Sequence, residues 1–132
     1  MSKASGTFEV KLLPIPLNEE TEDKKRGRMS IDKEFKGDLQ GRSVGEMLSA
    51  FGEIQGSAGY VAIERVIGKL NGKKGSFILQ HSAIMSGTSQ KLTVVVVPDS
   101  GTEELKGLTG NLVIKIENGQ HFYEFEYDLP SI

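Results

Sequence analysis

The 132-residue sequence predicts a single all-β domain that closes into an eight-stranded antiparallel barrel. Apolar and polar residues alternate with a period of two along much of the chain, which is typical of strands with one buried face. The 16 glycines separate short apolar runs, as tight turns require. No stretch shows the period of an amphipathic helix, and eight antiparallel strands without helices form a sandwich or a barrel. Closure into a barrel removes the sheet edges that promote aggregation.

The first six strands follow from this alternation and from the turn residues between them. Met29, Ile31 and Phe35, for example, share one face of the second strand while charged residues occupy the other. The proline-containing, acidic stretch 14–25 predicts a surface loop between the first two strands. The six predicted strands cover residues 6–13, 26–36, 39–50, 59–70, 75–85 and 91–98.

The last two strands form the hairpin with the strongest signal in the sequence. Asn118 and Gly119 suit a type I′ turn, which needs positive φ at both central residues. A two-residue turn fixes the register of the strands on either side. The predicted cross-strand pairs on the inward face are Ile116–His121, Ile114–Tyr123 and Leu112–Phe125.

Composition and charge narrow the classes of function. The net charge is −2 with basic and acidic residues interspersed, so no nucleic-acid partner is expected. The absence of cysteine excludes disulfides, thiol catalysis and thiolate metal sites. The longest purely apolar run, Val94–Val97, is too short to cross a membrane, and the first residues lack a signal-peptide pattern. We therefore expect a cytoplasmic protein without a membrane partner.

The sixth strand differs from the others because its sequence, LTVVVV, is apolar on both faces. A strand that is apolar on both faces is usually covered on its outer side. Either the long loop that follows, DSGTEELKGLTG, or a second subunit could provide this cover. We expect a homo-oligomer, and a dimer in particular.

Several segments resemble a bacterial family of unknown function with an allene-oxide-cyclase-like barrel, a calycin-like fold. The segments are KASGTFEVKL, GRMSIDKEFKGDL, GEMLSA, GSAGYVAIERVIGKLNG, GSFILQHS, VVPDSGTEELKGLTG and HFYEFEYDLP. The loop GTEELKGLTG also resembles a Gly-Thr-Gly turn of plant allene oxide cyclases and dirigent proteins, although Glu103 replaces its second glycine. The resemblance implies the fold. It also implies an apolar ligand in the barrel, since the wider group binds such molecules and some members guide cyclisations.

Glu64 and His81 form the best candidate for chemistry. The turn at residues 71–74 can close with two or four residues, which places the two side chains diagonally or directly opposite each other. In both registers they share a mostly apolar, inward face. A carboxylate bonded to an imidazole in a dry cavity can act as a general acid–base unit. The alternative is a buried polar pair that only fixes the register.

Tyr60, His121, Tyr123 and Tyr127 form a second set, which could bind a ligand carbonyl or carboxylate inside the barrel. Packing of these rings in the core is the alternative interpretation. Arg28 and Arg65 are predicted on the outward face as solvated charges. No motif with metal-ligand spacing is present, so neither a metal nor a cofactor is expected.

Three functions remain open at the level of sequence. The barrel could bind a small apolar molecule, or it could be a cyclase or isomerase in which Glu64 and His81 move protons. It could also be a structural or protein-interaction domain with a filled interior. Small residues on the third to fifth strands, among them Gly41, Ser43, Gly45 and Gly68, predict that any cavity lies beside those strands.

Overall fold

The computed structural model describes residues 1–17 and 25–130 and shows a closed barrel of eight antiparallel strands. Each strand pairs with the next along the chain, and β8 returns to pair with β1. A short 3₁₀ helix, Glu103–Leu105, lies between β6 and β7. The strands are β1 (Ser2–Pro14), β2 (Arg26–Gly37), β3 (Leu39–Phe51), β4 (Ala58–Leu70), β5 (Lys73–Ser86), β6 (Ser89–Val96), β7 (Thr109–Glu117) and β8 (Gln120–Asp128).

This architecture confirms the predicted fold class. Most strands begin or end within a few residues of the predicted bounds, and β1 begins earlier because its first residues pair with β8. The predicted surface loop at residues 14–25 falls largely on residues 18–24, which lie outside the described residues.

The β7–β8 hairpin has the predicted register. Asn118 and Gly119 have φ values of 51° and 78°, as a turn with two left-handed residues requires. The three predicted inward pairs are all present: Ile116–His121, Ile114–Tyr123 and Leu112–Phe125. Local turn chemistry and the apolar pattern specify the same alignment here.

The β4–β5 turn closes with two residues, Asn71 and Gly72, since Leu70 pairs with Lys73. Asn71 and Gly72 also have positive φ. This register places Glu64 opposite Leu79 and His81 opposite Ala62. Glu64 and His81 are therefore diagonal neighbours, the first of the two arrangements that the sequence allowed.

One half of the barrel is solidly packed, and we call it the filled half. Leu105 and Leu108, from the segment that follows β6, are completely buried and seal this end. The segment is held to β5 by hydrogen bonds between Thr102 and Ser76. Other buried side chains of the filled half include Phe35, Leu39, Val66, Leu70, Phe77, Tyr123, Phe125 and Tyr127.

The outer face of β6 is partly covered within the chain. Val94 and Val96 point inward and are buried, while Val95 and Val97 are half-buried rather than fully covered. Exposed large apolar side chains lie on the outer faces of several other strands, among them β3, β4 and β5. Within the described residues, no helix has the length and apolar character needed to span a membrane.

Candidate functional site

The second half of the barrel contains a cavity of about 370 Å³, and we call it the open half. All the strands of the barrel contribute to its wall, and its entrance lies where β1 ends and β8 begins. Leu12 and Ile116 form part of this rim and are 43% and 64% exposed. The lining residues are Phe8, Val10, Leu12, Ile31, Lys33, Met47, Tyr60, Ala62, His81, Gln90, Leu92, Ile114, Ile116 and His121. The volume is within the range of small-molecule sites.

A buried polar cluster lies against this cavity, centred on the carboxylate of Glu64, which is 0% exposed. Its Oε2 atom lies 2.8 Å from the Nζ of Lys33 and 2.5 Å from the Nε2 of His81. Its Oε1 atom accepts a hydrogen bond of 2.7 Å from the hydroxyl of Ser43. Four strands, β2 to β5, each contribute one side chain to this cluster, so its geometry depends on the register of all four.

The alternation along the strands explains why these side chains meet. Lys33 lies between Ile31 and Phe35 on the inward face of β2, so the strand carries its amine into the barrel. Gly45 of β3 pairs with Glu64 of β4. A Cβ atom at residue 45 would lie 2.6 Å from the Cα of Glu64, so only glycine allows the two strands to approach this closely.

The surroundings of Glu64 hold it in the ionised form. Burial raises the pKa of its carboxyl, but the hydrogen bond from His81 and the positive charge of Lys33 lower it more. The net effect lowers the pKa of Glu64 from 4.5 to about 2. An ionised carboxylate only accepts hydrogen bonds, so the Nε2–H of His81 and the ammonium of Lys33 are the donors. Glu64 therefore positions the other two groups and is poorly suited to carry a proton itself.

Lys33 and His81 contact Glu64 on one side and line the cavity on the other. The Lys33 ammonium also lies 4.8 Å from the centre of the Phe8 ring, which gives it a cation–π contact. Nearer the rim, Tyr60 keeps its proton because burial, and then the charge of Glu64, raise the pKa of its phenol. The open half therefore combines an apolar wall with two hydrogen-bond donors, the Lys33 ammonium at the inner end and the Tyr60 phenol nearer the rim.

The structure divides the predicted site residues between the two halves of the barrel. Glu64 and His81 are in contact, and Tyr60 and His121 line the cavity. Tyr123 and Tyr127 lie in the filled half, apart from the four residues of the open half. The Tyr123 hydroxyl accepts from the backbone N–H of Leu39 at 2.9 Å, and the Tyr127 hydroxyl accepts from the Asn71 side chain at 2.6 Å. Both hydroxyls thus hold turns at the sealed end, and we leave these two residues out of the site.

Each of the two arginines predicted on the outward face has a polar partner on a neighbouring strand. Arg28 bonds to Glu46 of the neighbouring strand, with its Nε 2.7 Å from the carboxylate. Arg65 lies 3.4 Å from the hydroxyl of Ser76. Within residues 1–17 and 25–130, no group of three or more His, Asp or Glu side chains could hold a metal ion.

The predicted position of the cavity was wrong in one respect. Gly41, Ser43, Gly45 and Gly68 do not line it, although Ala62 of β4 does. At the three glycines, a Cβ atom would meet the backbone of the adjacent strand, so the missing side chains bring strands together and leave no empty space. The hydroxyl of Ser43 donates a hydrogen bond to Glu64 and does not reach the cavity.

The ionisation of Glu64 predicts how stability depends on pH. The folded pKa of about 2 lies below the ordinary value of 4.5, so the folded state releases its proton more readily than the unfolded state. The stabilisation is complete above pH 4.5 and is lost as the pH falls towards 2, and it amounts to about 3 kcal/mol. We expect the difference in unfolding free energy between wild type and Glu64→Gln to shrink across this interval in urea titrations. A difference that is constant with pH would contradict this assignment.

Comparisons with known proteins assign the family but no activity. A search of curated proteins finds no match. A crystal structure from Shewanella oneidensis MR-1, described as a protein with unknown function from the DUF3224 family, superposes with a TM-score of 0.93. Its sequence is 51% identical, and the alignment covers 100% of this chain and 99% of that one. Residues 4–127 match the family described as "Protein of unknown function (DUF3224)". The chain therefore belongs to the DUF3224 family of proteins of unknown function.

Proposed function

We propose that the protein binds a small apolar molecule carrying one uncharged oxygen acceptor, such as a ketone, aldehyde or ester. The observation that carries this proposal is the pairing of an apolar cavity with the ammonium of Lys33 at its inner end, which has hydrogens to donate besides the one bonded to Glu64. Small-molecule sites combine a mostly apolar wall with a few polar groups that fix the orientation of the ligand. The implied relationship to allene-oxide-cyclase-like barrels supports the same function, by analogy of fold.

The wall of the cavity supports an apolar body for the ligand. Phe8, Ile31, Leu92 and Ile114 line it and leave a space open to the rim. Burying each methylene of a ligand there stabilises the complex by about 0.8 kcal/mol. An alkyl chain lying along the barrel axis would therefore provide most of the affinity.

The charges of the cluster support an uncharged polar end. The negative charge of Glu64 is compensated by the positive charge of Lys33 at 2.8 Å, so the pair is neutral as a unit. A ligand carboxylate would add an anion next to Glu64 in a space of low dielectric constant, which is costly. A carbonyl oxygen can accept a hydrogen bond from Lys33 without adding charge.

A homologous series of ligands tests this proposal. We expect the affinity for methyl ketones to rise about fourfold per methylene from hexan-2-one upwards, until the cavity is full. Isothermal titration calorimetry or displacement of a fluorescent apolar probe measures this. The matching alkanes, which lack the acceptor, and the matching alkanoates, which carry a charge, should bind more weakly. Affinity that does not depend on chain length, or equal binding of all three classes, would overturn the proposal.

A second candidate is an isomerase or cyclase that acts on a carbonyl compound in the same cavity. His81 favours it, because an imidazole that donates to an ionised carboxylate is oriented to accept a proton on its other nitrogen. In this case His81, rather than Glu64, would move the proton. Exchange of the α-hydrogens of decan-2-one in D₂O, followed by NMR, should then be accelerated by wild type and not by His81→Gln. Equal exchange with both proteins would rule this activity out.

The outer surface supports a separate proposal, that the protein forms a homodimer. Exposed apolar side chains on β3, β4 and β5 form an outer patch of Leu48, Val61, Ile63, Ile67 and Ile84. Leu48 and Val61 are direct cross-strand partners, so the patch extends from β3 onto β4. The adjacent Arg28–Glu46 pair supplies both signs of charge. A twofold axis brings identical patches together, and this mixture of charges lets them meet without net repulsion.

A charged substitution in the outer patch tests the dimer. We expect Val61→Glu to convert a dimer into a monomer, as measured by light scattering coupled to gel filtration, because two buried carboxylates would face each other. Val113→Glu is the matched control, since Val113 of β7 is 51% exposed and Val61 is 52% exposed. A wild type that is monomeric at all concentrations, or a Val61→Glu variant that remains dimeric, would contradict the proposal.

A further inference from the structure

We propose that Lys33 captures an aldehyde or ketone covalently, as an iminium ion within the barrel. The inference rests on the proposed function, since it requires a carbonyl compound to occupy the cavity. Lys33 is 6% exposed, yet it lines the cavity that opens at the rim. A lysine enclosed by apolar side chains and reached through a ligand-sized opening is the setting in which lysines form Schiff bases.

The contacts of Lys33 suit the product as well as the free amine. Its Nζ atom bonds to Oε2 of Glu64 and lies near the face of the Phe8 ring. An iminium nitrogen carries the same positive charge as the ammonium it replaces. Glu64 therefore compensates the charge equally before and after the reaction, and no new charge is buried. The ring face stabilises either cation.

Solvent water that enters the cavity through the rim can carry the proton for this reaction. The His81 nitrogen held near Lys33 cannot, because its Nε2 already donates a hydrogen to the Oε2 atom that Lys33 also contacts. One ammonium proton passes to a water molecule, and the nitrogen lone pair then attacks the carbonyl carbon while the C=O π electrons move to oxygen. A second nitrogen proton moves to that oxygen. The resulting hydroxyl group takes back the proton held by solvent, water leaves, and the nitrogen lone pair forms the C=N bond. The balance is one ammonium and one carbonyl compound giving one iminium and one water, without an oxidant or reductant.

Reductive trapping tests this proposal on the intact protein. We expect decanal followed by sodium cyanoborohydride to add one decyl group, which peptide mass spectrometry places on Lys33. The adduct at Lys33 should exceed that at the exposed lysines Lys69, Lys73 and Lys74 by at least about tenfold, because the cavity holds the aldehyde beside the amine. trans-Cinnamaldehyde gives a second readout, since its absorption moves to longer wavelength when a protonated imine forms.

Two controls separate this inference from the proposed function. Lys33→Arg keeps the charge beside Glu64 but cannot form an imine, so the trapped adduct should disappear from a folded protein. Decan-1-ol, which has no carbonyl, tests binding alone by displacement of a fluorescent probe. Binding of decanol without an adduct at Lys33 would overturn the covalent capture and leave the binding function in place. Adducts spread evenly over the surface lysines would also overturn it, whereas failure of both decanal and decanol to bind would remove the proposed function too.

Discussion

Replacing Glu64 by glutamine should lower the free energy of unfolding by about 3–5 kcal/mol, the cost of removing one partner from a buried ion pair. The carboxylate is 0% exposed and accepts hydrogen bonds from Lys33, Ser43 and His81. Without its charge, the Lys33 ammonium is left in an apolar interior without compensation. Urea denaturation monitored by circular dichroism measures the effect, as a lower midpoint with an unchanged slope.

The same substitution at the surface provides the control. Glu46 bonds to Arg28 across β2 and β3, but its side chain is 53% exposed. Glu46→Gln should therefore cost less than about 1 kcal/mol, as is typical of solvated ion pairs. A Glu64→Gln variant as stable as Glu46→Gln would show that the buried cluster is not electrostatically coupled.

A double variant distinguishes the lost charge from lost packing. Lys33→Met combined with Glu64→Gln removes the cation as well, so no uncompensated charge remains in the barrel. We expect the double variant to be more stable than Glu64→Gln alone, which is a non-additive result for two residues in contact. Additive losses would indicate that packing rather than charge accounts for the instability of Glu64→Gln.

Filling the cavity with a larger side chain should abolish ligand binding. Ile114 lies on the inward face of β7 and lines the open half. Ile114→Trp would place an indole where the proposed alkyl chain lies. We expect the affinity for decan-2-one to fall by at least about 100-fold, which corresponds to losing the burial of several methylenes.

The adjacent residue on the same strand is the matched control for this substitution. Val113 points outward and is 51% exposed, so Val113→Trp adds the same indole outside the barrel. Its affinity for decan-2-one should match that of wild type, and thermal unfolding shows whether both variants are folded. Equal affinities for all three proteins would place the ligand outside the cavity.

The fold was predictable because the signals that specify it are local. Alternation places one face of each strand inward, and two-residue turns such as Asn118–Gly119 set the register of their hairpins. The number of strands and the lack of helices left a sandwich or a barrel, and closure was predicted because it removes exposed sheet edges. The β4–β5 register was less certain, because the segment at residues 71–74 was compatible with two turn lengths and only the structure selects the shorter one.

The candidate site was predictable in part. The shared inward face of Glu64 and His81 follows from alternation alone. Lys33 was not among the site residues predicted from the sequence. A lysine is almost always exposed, and its place between Ile31 and Phe35 was the available signal that it points inward. Ser43 was expected to face inward but not to bind Glu64, since that contact depends on how β3 meets β4.

The boundary between the filled and open halves could not be derived from the sequence. Tyr60 and Tyr123 both point inward, but they lie at opposite ends of the barrel, and only Tyr60 lines the cavity. Which end is sealed depends on Leu105 and Leu108, which belong to a segment that the alternation pattern does not place. Long-range packing of this kind has no periodic signature in the sequence.

A crystal structure of the protein with decan-2-one tests the central claim most directly. We expect density for the ligand in the open half, with its oxygen within hydrogen-bond distance of the Lys33 ammonium and its chain running towards Leu12 and Ile116 at the rim. An open half occupied by the protein's own side chains, or a ligand bound only on the outer surface, would contradict the claim that this barrel binds apolar carbonyl compounds.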